Sequence, residues 1–479
     1  MEINKSCDKT TLHIIGIGGI GMSAIAYILH KKGFIIQGSD VISNYATTKL
    51  KRLGIQIFQQ HSPNNINNVD IIIISSAISC DNIELIQARR MNKMIYNRAH
   101  VLRYIALKTF NICITGSHGK TSTTGLVFNM LQSLDPSLIC GGMIKEIGNA
   151  VYRESELLIL EADESDGTFL HIPTNISIIT NIDNEHIDFY KNLNNLKIFF
   201  EKHIQHTLKN GIVIACGDCL NVEEMNSKFS LNSRFFTYSI KKYTSDFQAI
   251  NINISSSVIT FDIKLSTKLI TFLQVDYMLL TGFAIDTFSS SHDILNLLPS
   301  ILTGLYYKLN ISLIKKITKH KILIDRRFTI LDTIQGVTII SDYAHHPNEI
   351  RATIEKGKRI VTTKKMIIIY QPHKYSRLIN LYKEFINVFS GITRLIIMDI
   401  YPGGEQNLWK VTSKKLVYDL RGKYNQDVTL INDPFLIGDK IREVMQVGDL
   451  VIFMGAGNIT GIIPFVLNKL HMTNKQLTT

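Results

Sequence analysis

From Thr11 to about Arg98, short apolar runs alternate with stretches of helical character: "LHII", "FIIQGSD", "IQIF", "VDIIIISSAI" and "KMIYN". Such alternation predicts parallel strands whose two faces are covered by helices. After a break near Ile105 to Thr109, the run "FNICIT" opens a second region, with Ser155 to Glu161 and Ile176 to Thr180 as further buried strands. From Val213 to Leu280 the pattern shortens and becomes β-rich, with Ser/Asn-rich interruptions. A third alternating region starts near Asp325 with "VTIISDY", "KMIIIYQP", "RLIIMDIY" and "DLVIFMGAG". The expected fold is therefore α/β in three domains. Residues 1–107 would form a Rossmann-like parallel sheet, 108–324 a P-loop ATPase-like α/β domain, and 325–479 a second Rossmann-like α/β domain. No internal repeat or long low-complexity segment is apparent, and the polar tail after Leu470 is expected to fray.

Composition agrees with this division, since 479 residues exceed what one hydrophobic core accommodates. The longest apolar runs, such as Ile71 to Ile74 and Met366 to Tyr370, fall far short of the ~20 residues that span a bilayer. With no basic and apolar leader at the start, the expected location is the cytoplasm, without a membrane partner. Six scattered cysteines suit a reducing compartment, and Cys216-Gly-Asp-Cys219 lacks the second pair or histidine cluster that a metal site needs. The net charge of +12 comes with lysine, asparagine and isoleucine spread everywhere rather than in a block. It argues for a surface that attracts acidic, phosphorylated substrates, not for a nucleic-acid partner.

Two glycine-rich turns carry the chemistry. Gly16-x-Gly18-x-x-Gly21 follows an apolar strand and opens a helix, the arrangement that seats a pyrophosphate on a helix N-terminus. The second, "GSHGKTS" at Gly116 to Ser122, places Lys120 and Thr121 directly after Gly119, with only Ser117 and His118 between the glycines. Glycines let backbone N–H groups close on phosphate oxygens, the lysine supplies charge to the β/γ-phosphates, and the Thr121 hydroxyl reaches Mg²⁺. "LLILEADESDG" ends a strand in Glu161, Asp163, Glu164 and Asp166, and "ITNIDNEHID" ends another in Asp183, Glu185, His186 and Asp188. Carboxylates crowded at a strand edge beside a phosphate turn point to an ATP site with bound Mg²⁺. An NAD-dependent dehydrogenase would explain Gly16 to Gly21 but leaves the second turn and the acidic strand end without work.

The strings "GIGGIGMSAIA", "GSHGKTSTT", "EADESDGTFL", "TNIDNEHIDFY", "DRRF", "DYAHHPNEI", "YQPHKYSR", "YPGGE" and "GAGNI" occur in the order expected of the Mur ligase family. The chain resembles that family over essentially its whole length. The resemblance implies ATP-dependent amide bond formation in peptidoglycan precursor synthesis. ATP would phosphorylate the lactyl carboxylate of UDP-N-acetylmuramate to an acyl phosphate, and L-alanine would attack it, releasing phosphate. It further implies that Lys120 holds the β/γ-phosphates and that Thr121, Glu161 and His186 serve Mg²⁺. Gly116, Ser117, His118, Gly119, Ser122 and Asn296 would complete the ATP site. Arg327 and Asp342 would bring the third domain onto the nucleotide, while His345, His346, His373 and Arg377 form the far wall. Gly16, Gly18, Gly19 and Gly21 would then hold the UDP-sugar pyrophosphate, with Ser39, Asp40 and Ser75 as further polar edges. A monomer or weak homodimer is expected.

One motif departs from the family pattern. In "TGFAIDTFSSSHDILNLLPS" His292 and Asn296 fit, but Asp293 replaces an asparagine and Pro299 falls inside the expected helix. Asn to Asp exchanges two amide donors for an acceptor-only charge. Either the ligase works with an altered nucleotide contact, or the chain is an eroded relative that binds the UDP-sugar with little turnover. The resemblance makes Lys197 in "NLKIFF" a candidate for carbamoylation at the metal site.

Overall fold

Runs of isoleucine, leucine and valine bury both faces of a strand, and in the computed structural model they line up as parallel sheets with helices on each side. The structure describes residues 10–255, 258–286, 291–319, 326–360, 365–392, 394–424 and 427–472. The boundary expected at 324/325 and the last residues of the tail lie outside these. Among the described residues no helix is long and apolar enough to cross a membrane.

The first sheet is wholly parallel. Its strand order is Gln56–Phe58, Ile35–Ser39, Thr11–Ile15, Ile71–Ile74, Met94–Asn97. The Gly16 to Gly21 turn leaves the central strand at its carboxyl end and feeds the helix Ile20–Lys31. The second sheet is centred on Phe110–Thr115, flanked in parallel by Leu157–Glu161 and Ile176–Ile179. The β-rich stretch does not form a separate body. Its strands Ile212–Cys216, Phe235–Ser239, Phe247–Ile254, Val258–Leu265 and Leu279–Asp286 extend this same sheet, with Val258–Leu265 antiparallel to both its neighbours. The other edge is the pair Ser137–Ile144 and Gly148–Val151, where glycines hide the apolar alternation from sequence reading.

These two sheets belong to one compact unit, Met1–Thr287 with Asp293–Ile324. A single buried cluster runs from Leu12, Ile25 and Leu29 through Val101 and Ile105 to Leu160, Phe169 and Phe200. The second unit holds the third sheet, in the order Thr329–Ile334, Val337–Asp342, Leu450–Met454, Met366–Tyr370, Arg394–Ile397, Asp427–Leu430. All but its first strand are parallel.

The first sheet also carries a buried polar network that the hydrophobic pattern does not announce. Glu84, wholly buried on the helix Ile83–Arg90, accepts from Ser39 Oγ at 2.5 Å and Asn65 Nδ2 at 2.6 Å, and meets His61 Nδ1 at 3.0 Å and His13 Nε2 at 3.5 Å. Burial alone would push the carboxyl up, but these partners, His13 and Ser39 foremost, overcome it and hold the group at about 2. A depressed carboxylate of this kind stabilises the fold above its unfolded value near 4.5 and stops doing so as pH falls toward 2. Glu84→Ala is therefore expected to lower unfolding stability by about 3 kcal/mol at neutral pH, the scale of breaking a buried charged network. Urea titrations of both proteins should show the difference shrinking between pH 4.5 and 2.

Candidate active site

The second glycine turn is clamped from the adjacent strand end. Ser117 N–H donates to Asn181 O at 3.0 Å, His118 N–H to Asn181 Oδ1 at 2.8 Å, and Thr180 Oγ1 donates to His118 O at 2.7 Å. Gly116 has φ +129° and Gly119 φ +80°, which side chains rarely adopt. A Cβ on Gly116 would stand 2.2 Å from Thr180 Oγ1, and one on Gly119 2.5 Å from Asn296 Oδ1. Asn296 thus lies against the turn, and the helix Ser291–Tyr306 runs on through Pro299. No side chain caps the helix Lys120–Met130 at Gly119, so its first turn of N–H groups, those a helix leaves without intrahelical partners, has no side-chain acceptor at the cap.

Around this turn the acidic strand end is neutralised piece by piece. Lys120 Nζ donates to Glu164 Oε2 at 2.8 Å and to the carbonyls of Gly116 at 2.6 Å and Ser117 at 3.2 Å. Burial would lower the ammonium's pKa, but Glu164, Asp163 and Glu161 raise it above the ordinary lysine value, so the charge is secure. Thr121 Oγ1 donates to Glu161 Oε1 at 3.1 Å, while Gly141 N–H donates to Glu161 Oε2 at 2.8 Å. A Cβ on Gly141 would fall 2.6 Å from Glu161 Oε1, and one on Gly142 2.6 Å from Thr121 Cγ2. Two glycines that sequence reading passed over thus leave room for this oxygen pair.

Of the three residues expected to serve the metal, Thr121 and Glu161 pair with each other, whereas His186 is drawn to a different carboxylate. Its Nε2 lies 3.2 Å from Glu164 Oε1, and Asp163, Glu164 and His186 offer ligand atoms within 4.8 Å of one another. His186 has φ +56°, a left-handed conformation that costs a non-glycine residue about 1–3 kcal/mol and recurs at functional sites. Burial opposes its charge, yet Glu164, Glu185 and Asp163 raise its pKa above the usual histidine value. Glu164 is wholly buried, and Tyr190 Oη donates to its backbone carbonyl. The donors suit Mg²⁺, a hard cation that takes oxygen ligands. The Thr121–Glu161 pair is the better-prepared half, because the His186 Nε2 is already engaged by Glu164 Oε1. Lys197 pairs with Glu224 at 2.7 Å.

The first glycine turn is shaped by its own sheet. Gly16 N–H and Ile17 N–H donate to Ser39 O, at 2.8 and 3.1 Å, and Gly19 N–H reaches Gly16 O at 3.3 Å. Gly18 N–H is already engaged by Asp40 Oδ2 at 2.8 Å, and Ser75 packs against Gly16. Ser39, expected at a polar edge, is instead wholly buried with its hydroxyl donated to Glu84. It shapes the turn through its backbone carbonyl, because the strand's pleat turns the side chain inward. Two connections to this turn escaped the sequence. Asn149 Nδ2 donates to Ile20 O at 2.7 Å and Ser23 Oγ at 2.9 Å, and Arg98 stands 3.8 Å from both Asp163 and Asp166. Neither lies in a motif, and only the folded chain brings them there.

In the second unit, Asp342 is buried and accepts from Phe328 N–H and Ala344 N–H, each at 2.7 Å. Its pKa is raised by burial, against the pull of Arg327. Arg327 Nη1 pairs with Glu349 at 3.2 Å, and His345 Nδ1 meets the same carboxylate at 3.2 Å. His346 is buried at the start of the helix Pro347–Ile360. His373 stacks on Tyr401 with ring centroids 5.5 Å apart, and its Nδ1 lies 3.1 Å from Arg377 Nη1. Burial, with His345 and Arg377 beside it, pushes His373 down to about 3, so the ring is neutral. Arg327, Asp342, His345 and His373 therefore gather at the carboxyl edge of the third sheet.

Three family models match the chain in succession. "Mur ligase family, catalytic domain" covers residues 11–109, "Mur ligase middle domain" 114–301, and "Mur ligase, glutamate ligase domain" 326–457. The chain is 37% identical over 456 residues to the UDP-N-acetylmuramate–L-alanine ligase of Rickettsia felis, covering 94% of each. It is 34% identical over 453 residues to the enzyme of that name from Dictyoglomus turgidum, again covering 94% of each. The crystal structure of UDP-N-acetylmuramate-alanine ligase from Thermotoga maritima shares the fold at TM-score 0.79, 24% identity, 97% coverage of this chain and 99% of that one. The MurF ligase of Thermotoga maritima in complex with ADP shares it at TM-score 0.62 and 15% identity, covering 91% and 95%.

The Glu164–His186 contact yields a direct check. With Glu164→Gln the main group raising the histidine is gone, so the His186 pKa should fall. A histidine NMR titration reads this, and an unmoved midpoint would show that Glu164 does not hold the proton.

Proposed function

We propose that this chain, which belongs to the Mur ligase family, joins L-alanine to the lactyl carboxylate of UDP-N-acetylmuramate at the expense of ATP. The observation that carries this reading is the grouping of Lys120, Thr121 and Glu161 at an uncapped helix N-terminus, clamped by Thr180 and Asn181.

A carboxylate is a poor electrophile until one oxygen becomes a leaving group. Transfer of the γ-phosphoryl to the lactyl carboxylate gives an acyl phosphate. The alanine amine then attacks its carbonyl, the C–O bond to phosphate breaks, and the amine loses a proton. Such transfer relies on positioning and charge stabilisation more than on covalent participation by the protein. The N–H groups from Gly119 to Ser122 would orient the phosphates, and Lys120 would leave Glu164 to neutralise the β/γ-oxygens. Thr121 and Glu161 would hold Mg²⁺, which when bound offsets charge on the transferring phosphoryl, with His186 beside it.

The Gly16 to Gly21 turn, with Asp40 and Ser75, would seat the UDP-sugar pyrophosphate. In the second unit, His345, His346, His373 and Arg377 are proposed for the amino-acid side, where an arginine suits a carboxylate, and Arg327 and Asp342 for the nucleotide. An eroded, non-catalytic relative would be favoured by a collapsed Lys120–Thr121–Glu161 group, and that group is intact.

Phosphate release should require UDP-N-acetylmuramate and L-alanine together; no release at millimolar ATP with both present would sink the ligase reading. Lys120→Ala should cut turnover by about 10²–10³-fold, the scale of removing one preorganised charge partner. UDP-sugar binding, followed by calorimetry, should survive that substitution.

A further inference from the structure

Arg98 is the first residue of the helix Arg98–Ala106, directly after the strand Met94–Asn97 at the carboxyl edge of the first sheet. A cation there has the wrong sign for the helix macrodipole, so something else must hold it. Its guanidinium lies over the start of the helix Ile20–Lys31, where a Cβ on Gly21 would stand 3.3 Å from Nη1. Across the gap, Asp163 Oδ2 and Asp166 Oδ2 are each 3.8 Å from Nη2, too far for hydrogen bonds. Each aspartate already uses its other oxygen within its own turn, accepting from Ser165 N–H and Thr168 N–H. Among the described residues the Arg98 side chain makes no hydrogen bond, and its Nε is buried without a partner. A planar fork of five N–H donors is thus held in place by charge and left unspent.

Its position is as informative as its open donors. On one side is the turn proposed for the UDP-sugar pyrophosphate, and on the other the acidic strand end whose Asp163 also acts on Lys120. Asn149 fastens the second sheet to the same helix start, through Ile20 O and Ser23 Oγ, so the two sides stay in register. We infer that Arg98 is a substrate-binding residue that grips an oxyanion of the nucleotide-sugar between the first glycine turn and the phosphoryl-transfer site. This rests on the reading of the first sheet as the UDP-sugar domain. Arginine suits this task because its fork matches the paired oxygens of a carboxylate or phosphate.

Two groups on the substrate have that chemistry, the pyrophosphate and the lactyl carboxylate, and UDP-N-acetylglucosamine carries only the first. Calorimetry with both nucleotide-sugars on wild type, Arg98→Gln and Arg98→Lys separates them. Arg98→Gln should weaken UDP-N-acetylmuramate about 10- to 100-fold, the range for a lost charge-assisted pair. Arg98→Lys, which keeps the charge without the fork, should recover only part. An equal loss for UDP-N-acetylglucosamine assigns the grip to the pyrophosphate, and a loss confined to the muramate assigns it to the carboxylate. In turnover the KM for the sugar should rise with little change in kcat, and ADP binding should stay at the wild-type value. Unchanged affinity for both sugars in a folded Arg98→Gln protein, even with a lowered Tm, would overturn the inference and leave Arg98 a strut. If the wild type binds neither sugar, the reading of the first sheet fails, and the inference with it.

Discussion

Four carboxylates within residues 161–166 cannot share one strand end in a low-dielectric setting unless each meets its own counter-charge or donor set. The first unit is organised around meeting that demand. Glu161 is satisfied by Thr121 and Gly141, Glu164 by Lys120 and His186, and Asp163 and Asp166 face Arg98. The partners come from the second glycine turn, from the strand Ser137–Ile144, from the loop after Ile176–Ile179 and from the start of the helix Arg98–Ala106. Satisfying the acids therefore assembles the site: four segments apart in sequence converge because the carboxylates need them.

This arrangement is poised rather than finished. Lys120 spends its charge on Glu164 and on two carbonyls of its own turn, all contacts that a phosphate could take over. Glu164 would not be stranded by such an exchange, since His186 is already beside it with a raised pKa. A buried carboxylate left alone would cost several kcal/mol, and the histidine removes that obstacle to releasing the lysine. The left-handed backbone at His186 is consistent with a side chain held in place for a purpose other than packing.

What could be read from the sequence was what is local. Isoleucine runs announced the strands, and the paired glycines with Lys120 and Thr121 announced the strand-to-helix turn, because each depends on neighbours within a few residues. The resemblance then carried the function. Gly141 and Gly142 escaped notice because their value lies in a close approach to Glu161 and Thr121, and nothing local marks it. Arg98, Asn149 and the Glu84 network escaped for the same reason, their partners lying many residues away. Ser39, expected as a polar edge, is turned inward because a strand-end serine can face either way, and the buried Glu84 decides which. The antiparallel pair Ser137–Ile144 and Gly148–Val151 was missed where glycine interrupts the β pattern.

The departure at Asp293 takes on a narrower meaning beside these contacts. A damaged nucleotide site would be expected to loosen the element that follows it. Instead the helix Ser291–Tyr306 continues through Pro299, burying Ile294, Leu298, Ile301 and Leu302, and Asn296 presses on Gly119 closely enough to exclude any side chain there. The contact between this helix and the phosphate turn is therefore preserved at Asn296, three residues beyond the substitution. What Asp293 alters is the donor pattern offered at the head of the helix, where an acceptor-only charge replaces two amide donors. The two glycine turns keep separate supports on one packed unit. The first is closed by Asp40 and the carbonyl of Ser39, and the second by Thr180 and Asn181, so each keeps its shape without drawing on the other.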